Sequence, residues 1–389
     1  MNSNLASQLL SSVMGWDYVK LNTERPGLEF MGNMKYDAYD RFMPGTRFMS
    51  NLVQWLNQFD EEDRQIAYKF VKDKLVFISS TQMNYLVNLL YDLKIKTILL
   101  KKATDYTSMP SYMLCNKRVQ KQYEIEKRSS LIVGLSDGAH TDILRRNAGF
   151  NNEQVLTNYY PDSKKLSDML SALRNDDKLL GLEHPYFRSI FLIDDFTASG
   201  KSFIRYQKDD AHYHGKLKKI IDELCAINDK EDSSITDSEH EEQTARHLSY
   251  LLDPSRSETY IYILFCMATN KAIENIRKSL NEYLNARGFN NVKYEIHVVQ
   301  LLDDSLSQEI INDSDLIKVL RKPKYLHKNL KQDKAYKVGN TTRPYLGFDE
   351  CALPLVLSHN TPNNSLPILW QDSDNNNQFK GLFPRISRH

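Results

Sequence analysis

The sequence predicts an α/β fold, a mainly parallel sheet with helices on both faces, with a helical region ahead of it and a C-terminal extension behind. Short apolar runs recur at 130–135, 190–193, 260–265 and 294–299, and amphipathic stretches lie between them. Strands buried on both faces read as continuous apolar runs, and parallel neighbours need a crossover that is usually a helix. Turn residues close the first two runs, Ser136-Asp137-Gly138 and the segment from Asp194 onward. Strand, loop, helix is therefore the repeating unit.

Taken in order, residues 1–40 are rich in aromatics and methionine without a clear period and read as irregular or weakly helical. From Phe48 the spacing becomes helical: Leu52, Trp55, Leu56 and Phe59 form one stripe, and Ile66, Phe70 and Val71 form the next, opened by Asp60 as N-cap with Asp63 three residues on. Ser79 or Ser80 caps a third helix with Met83, Leu86, Val87 and Leu90 on its face. Tyr112–Arg128 is charged and amphipathic and leads into the first strand; after Gly138 a helix restarts over Ala139–Arg146. Leu217, Ile220, Ile221, Leu224 and Ile227 mark a helix behind the second strand, and Lys271–Leu284 another between the third and fourth. Domains follow as 1–110 helical, 111–310 α/β core, and 311–389 an extension packing on that core. Within the core, the acidic, serine-containing stretch 228–243 lacks large apolar residues and reads as a mobile insertion.

The chain has 389 residues, 41% of them hydrophobic, and 51 basic residues stand against 50 acidic ones. A formal charge of +1 excludes a global field for nucleic acid or a membrane surface. No apolar run approaches the roughly 20 residues that span a bilayer, and Met1–Val19 has no basic leader region, which predicts a cytoplasmic protein with no membrane partner. Cys115, Cys225, Cys266 and Cys351 are too scattered for a zinc site and read as reduced core thiols.

Chemistry concentrates at Ile190-Phe-Leu-Ile193-Asp194-Asp195-Phe-Thr197-Ala198-Ser199-Gly200-Lys201-Ser202. Two carboxylates at the end of a buried strand are costly unless a cation, hydroxyl donors or backbone N–H groups satisfy them. The residues that follow offer hydroxyls, one conformationally free glycine and one ammonium. A helix beginning near Ser199 would add its N-terminal dipole and make an anion site. Hydroxyls at one end and phosphate at the other describe a phosphorylated ribose.

This arrangement resembles the phosphoribosyl pyrophosphate (PRPP) motif of type I phosphoribosyltransferases. The resemblance implies that the acidic pair, Asp194 and Asp195, is catalytic and contacts the ribose hydroxyls directly or through Mg2+. It implies that Thr197, Ala198, Ser199, Gly200, Lys201 and Ser202 cradle the 5′-phosphate. Ser136, Asp137 and Gly138 stand where the family places its pyrophosphate loop, without the arginine or lysine often found there. Ala198 replaces an aspartate of the 6-oxopurine members, which points away from hypoxanthine or guanine salvage. Together with 52–59, 134–138 and 358–370, the motif is similar to the phosphoribosyltransferase-like family of bacterial conflict and anti-phage systems, retrons included, over about residues 48–370. That likeness implies a nucleotide or PRPP ligand, a role as a defence effector, and a partner such as a reverse transcriptase with its nucleic acid.

Other readings stand beside these. The acidic pair also suits a turn plus N-cap. Ser199-Gly-Lys-Ser202 matches a P-loop ending, but the first glycine of that motif falls on Asp195. His140 suits a leaving-group role or a capping one. His359, Asn360 and Asn363 suit a base-reading cluster or an Asn-Pro turn network, and Trp370 a packing anchor. Arg321–Lys328 suits phosphate contacts to nucleic acid or a solvated loop. A non-catalytic nucleotide-binding sensor or adaptor is the alternative to an enzyme.

Overall fold

The computed structural model describes residues 3–110, 112–157, 161–179, 182, 185–226, 247–327, 330, 341–372 and 378–386. The stretch 228–243, expected as a mobile insertion, lies outside the described residues. The chain forms two compact units, residues 84–302 and residues 1–83 together with 303–389. The two terminal segments thus share one unit. Among the described residues the strands are β1 (Val76–Ile78), β2 (Ser130–Gly134), β3 (Val155–Leu156), β4 (Ser189–Thr197), β5 (Arg205–Gln207), β6 (His212–His214), β7 (Thr259–Thr269), β8 (Val292–Leu302) and β9 (Leu355–Leu357).

Residues 84–302 hold the α/β layer structure. Its sheet runs β3-β2-β4-β7-β8, and every neighbouring pair is parallel. Along the chain β2 is the first of these strands, yet it sits between the second and the third, so the winding reverses between β2 and β4. A reversal of this kind leaves a crevice beyond the carboxyl ends of the two strands, because the following crossovers depart to opposite sides.

Strand alternation divides the apolar residues between two faces. Leu131, Val133, Ile190, Leu192, Ile261 and Ile263 share a core with Leu166 and Leu170 of helix Ser163–Arg174, Leu217 and Ile221 of helix Lys216–Cys225, and Ile276 and Leu280 of helix Asn270–Arg287. Each such side chain, withdrawn from water, contributes about 2 kcal/mol. On the opposite face Phe191 and Tyr262 stack at 5.0 Å. Lys102 of helix Lys96–Thr107 lies over Tyr262 and donates to Ser189 Oγ at 2.7 Å.

The other unit is mainly helical, with β1 and β9 paired in parallel across 76–78 and 355–357. Helix Phe48–Asn57 buries Leu52, Trp55 and Leu56 in an aromatic core with Phe59, Tyr325, Phe379 and Phe383. Trp55 Nε1 donates to the Ile368 carbonyl at 2.9 Å. Residues 1–40, expected to be irregular or weakly helical, form two helices, Ser3–Met14 and Tyr18–Met34. Pro26 sits inside the second, and Tyr18, Val19, Phe30 and Met34 stay exposed, so no clean apolar stripe marks it. Ser79 does cap helix Ser80–Leu89: its Oγ accepts from Gln82 N–H while Gln82 Oε1 accepts from Ser79 N–H.

The cysteines are all free thiols, but only Cys266 and Cys351 are buried; Cys225 is half-buried and Cys115 exposed, so the expectation of core thiols fails for Cys115. Among the described residues no helix is long and apolar enough to cross a membrane.

Candidate functional site

β4 continues through both carboxylates, so Asp194 and Asp195 belong to the strand and not to the loop behind it. Asp194 opposes Phe265 and Thr197 opposes Ala268 in the ladder with β7. Adjacent strand residues point to opposite faces. Asp194 therefore lies on the face covered by helix Lys216–Cys225, and Asp195 on the face of Phe191 and Ile193. Both are buried, Asp194 almost completely.

The strand end is tied to the loop after β2. Leu135 N–H donates to the Ile193 carbonyl at 2.8 Å, one residue past the strand, and delivers Ser136 to Asp194. Ser136 Oγ donates to Asp194 Oδ1, which also accepts from Asp195 N–H at 3.1 Å. Asp194 Oδ2 accepts from Lys216 Nζ at 2.9 Å. On the other face, a Cβ placed on Gly138 would come within 2.8 Å of Asp195 Oδ2, so the carboxylate lies flat against a backbone that only glycine provides. Asp137 is exposed, and a short turn, Asp137–Ala139, ends in His140 at φ 47° before helix Thr141–Ala148. The loop expected for pyrophosphate thus reaches both carboxylates at the end of β4, beside the crevice between β2 and β4.

No helix begins near Ser199. Residues 198–203 form a tight turn, then the β5–β6 hairpin, and the next helix opens only at Lys216. The turn has another source of N–H groups. Thr269 Oγ1 donates to the Ala198 carbonyl at 2.6 Å, Asn275 Nδ2 to the Ser199 carbonyl at 2.9 Å, and Arg205 Nη1 to the Lys201 carbonyl at 3.0 Å. In a planar trans peptide the N–H points opposite to its carbonyl. The Ser199 and Gly200 N–H groups are therefore aimed away from helix Asn270–Arg287, as in a backbone anion nest. Gly200 makes the approach possible: at φ 72° it would place a Cβ 2.7 Å from the Ala272 carbonyl. Thr197, Ala198 and Ser199 are buried, Lys201 is half-buried and Ser202 exposed. A P-loop does not fit, because an acid stands at its first glycine and no helix follows its Gly-Lys-Ser.

Electrostatics set the two acids apart. Burial, and then the charge on Asp195, push the Asp194 carboxyl above the usual carboxylate range, while Lys216 and Ser136 oppose the rise. Burial, reinforced by the two aspartates, raises the nearby Cys266 thiol and leaves it inert. Lys216 was missed in the sequence because it stands 22 residues beyond Asp194. Arg205 stands only four residues beyond Lys201, and no local pattern marks it; burial lowers its pKa against the influence of Asp210. No local signal singles out Lys216, because Lys218 and Lys219 share the first turn of its helix.

The remaining candidates belong to the helical unit. Asn360 Nδ2 donates to the Ile386 carbonyl at 3.2 Å and its Oδ1 accepts from Ile386 N–H at 3.1 Å, while the Asn363 carbonyl accepts from Phe348 N–H. These contacts tie segments that lie far apart in the sequence; His359 is half-buried beside them. Trp370 Nε1 donates to the Ser365 carbonyl at 2.8 Å, as an anchor would. The basic stretch is committed within its own unit: Lys322 pairs with Asp63 at 2.6 Å, Lys324 with Asp60, and Tyr325 is buried with its hydroxyl on Asp63. Arg321 Nε donates to Tyr345 Oη at 3.1 Å. The nucleic-acid reading of this stretch loses its interleaved aromatic. The cluster Asp60, Glu62 and Asp63 has metal-like spacing, but each carboxylate already pairs with Lys322 or Lys324.

No curated protein and no solved structure matches the chain. A family model does, over residues 52–385, a span that takes in both loops of the β2–β4 crevice. With that span matched, the chain belongs to the PRTase-CE family and is a phosphoribosyltransferase-like protein.

Proposed function

We propose that the crevice between β2 and β4 binds PRPP or a related nucleotide and acts at the ribose anomeric carbon. The observation that carries this reading is the meeting of a buried acidic pair with an outward-facing N–H turn at the point where the sheet reverses its winding. The turn at 197–202 takes the 5′-phosphate, the acidic pair at the end of β4 supplies the carboxylate for the sugar, and the 136–138 loop takes the leaving pyrophosphate. Cleavage at the anomeric carbon passes through an oxocarbenium-like state, so positioning and charge stabilisation supply the catalysis.

Mg2+ fits this donor set in one way only. Asp194 already holds an ammonium 2.9 Å from Oδ2 and a hydroxyl on Oδ1, so a site built from both carboxylates does not fit. A magnesium ion bound through ligand phosphates, with Asp195 as its protein carboxylate, does. Bound there it would supply charge neutralisation at the departing oxygen; the chain's own residues hold the sugar and phosphate in place.

The biological role we propose is that of an effector in bacterial anti-phage defence, held silent by a protein partner such as a reverse transcriptase with its nucleic acid. Support comes from the likeness of 52–59, 134–138, 194–202 and 358–370 to the conflict-system family. Purified full-length protein, given PRPP or nucleotides with Mg2+, is expected to consume ligand, with Asp195→Asn inert. Tight binding without turnover supports instead a sensor or adaptor, a reading that the absence of a basic residue in 136–139 favours. Equal inertness of wild type and variant, without binding, overturns both.

A further inference from the structure

The pyrophosphate loop has no cation of its own, yet one is delivered to it from elsewhere in the fold. Lys216 Nζ and Ser136 Oγ bind the two oxygens of one carboxylate, Asp194, so the ammonium sits one carboxylate away from the first residue of that loop. The placement is enforced by the backbone. Gly215, at φ 126°, lies so close to the turn that a Cβ there would fall 2.3 Å from the Phe203 carbonyl. Lys216 N–H then donates to the Ser202 carbonyl and Leu217 N–H to that of Phe203. The ammonium also lies 4.9 Å from the centroid of the Phe203 ring.

Helix stability does not account for this lysine. The first turn of Lys216–Cys225 has no acidic residue, and a cation there opposes the helix dipole. The side chain is about one-quarter exposed, whereas its carboxylate partner is 2% exposed. The pair therefore has a sealed acid and a cation that still reaches solvent. A local arrangement that runs against helix electrostatics without improving the core is the pattern expected at a binding site.

We infer that the acidic pair is split in function: Asp194 is a positioning residue that holds Lys216 and Ser136, Lys216 is the cation for the pyrophosphate of the ligand, and Asp195 is the acid that serves the ribose. This rests on the reading of the crevice as a PRPP site. It departs from the resemblance, which gives both acids to the sugar. Asp194 already accepts from Ser136, Lys216 and its neighbour's N–H, and it points to the opposite face from Asp195.

The test compares two probes on the full chain, PRPP and ribose 5-phosphate, by calorimetry with Mg2+. Lys216→Gln is expected to weaken PRPP at least about tenfold while changing ribose 5-phosphate less than about twofold. Lys216→Arg is expected to recover most of the loss. Asp194→Asn is expected to follow Lys216→Gln, and Asp195→Asn to weaken both probes together. Comparing two ligands on one variant removes any general loss of stability. If Lys216→Gln leaves the ratio of the two affinities unchanged, or if Asp194→Asn and Asp195→Asn weaken ribose 5-phosphate alike, the split is overturned. If wild type binds neither probe, the PRPP reading itself fails, and the inference with it.

Discussion

Asp194–Asp195 and Asp60–Asp63 are both pairs of carboxylates held by lysines, but the sequence marks the first as a site and the second as the start of a helix. In the helical unit the balance is internal: Asp63 is buried under Lys322 and the Tyr325 hydroxyl, and Asp60 faces Lys324. Asp60 occupies the N-cap position of helix Glu61–Asp73, yet its carboxylate makes no capping bond and turns to the lysines. In the α/β unit one lysine and one serine serve Asp194, and the same small volume contains Asp195 and a turn that presents N–H groups. The first pair completes itself within the fold; the second has polar capacity directed at a crevice. Loss of a charge should therefore cost stability in the first and ligand in the second.

The largest expected effect is on binding. Asp195→Asn should reduce PRPP affinity at least about a hundredfold, equivalent to about 2.7 kcal/mol. Its melting temperature should not fall, because the change relieves a buried like-charge pair. A variant that melts earlier and binds normally would reverse the comparison. Next comes Asp63→Ala, which removes the acceptor of the buried Tyr325 hydroxyl and the shortest of the Lys322 ion pairs, and should cost about 1–3 kcal/mol in denaturant unfolding. Its PRPP affinity should be that of wild type.

Acid and base should separate the units as well. Burial pushes the Glu24 carboxyl up, but bonds from Lys20, Lys72 and Tyr68 outweigh it and bring the group down to about 2. A folded-state pKa below the unfolded one stabilises above the unfolded value, so this contribution is lost as pH falls from about 4.5 toward about 2. Asp194 has the opposite sign. Its pKa is raised, the native state holds the proton longer, and stability falls as pH rises from about 4 through the raised value. Melting curves across that range should show Glu24→Gln flattening the acid limb and Asp194→Asn flattening the decline above it.

Much of this was legible in the sequence, and the failures have physical causes. The apolar runs at 130–135 and 260–265, observed as strands over 130–134 and 259–269, announce themselves because a doubly covered parallel strand has no charged residue to interrupt it. β4 was cut short at Ile193 because charge reads as loop, although here the crevice lets two carboxylates remain in the strand. β3 spans only Val155–Leu156, too short to carry a period. β1 and β9 pair across most of the chain, a contact that no local pattern encodes. For the site, Asp194, Asp195 and Gly200 stood out because strand-end charge and a glycine in a turn are local signals. Lys216 did not, because its role depends on where the β5–β6 hairpin returns the chain. That no helix begins at Ser199 has a related reason: Gly200 and the hydroxyls suit a helix start, but the turn's carbonyls are taken by Thr269 and Asn275.

The smallest expected effect tests the comparison from its weakest side. Lys324 pairs with Asp60 at the surface, with side chains 50% and 40% exposed, and solvent and salt screen such a pair. Lys324→Ala should shift the melting temperature by no more than about 1 °C. If the basic stretch instead served nucleic acid, loss of one phosphate-contacting lysine would weaken binding across sequences and lower the salt slope by about 1. Because the ammonium is held on Asp60 and the neighbouring ring of Tyr325 is buried, filter binding to RNA or duplex DNA at low salt should give the same weak signal for wild type and variant. A clear drop for the variant would mean that the Asp60 pair opens for a partner, and the helical unit would then no longer be the self-contained member of the comparison.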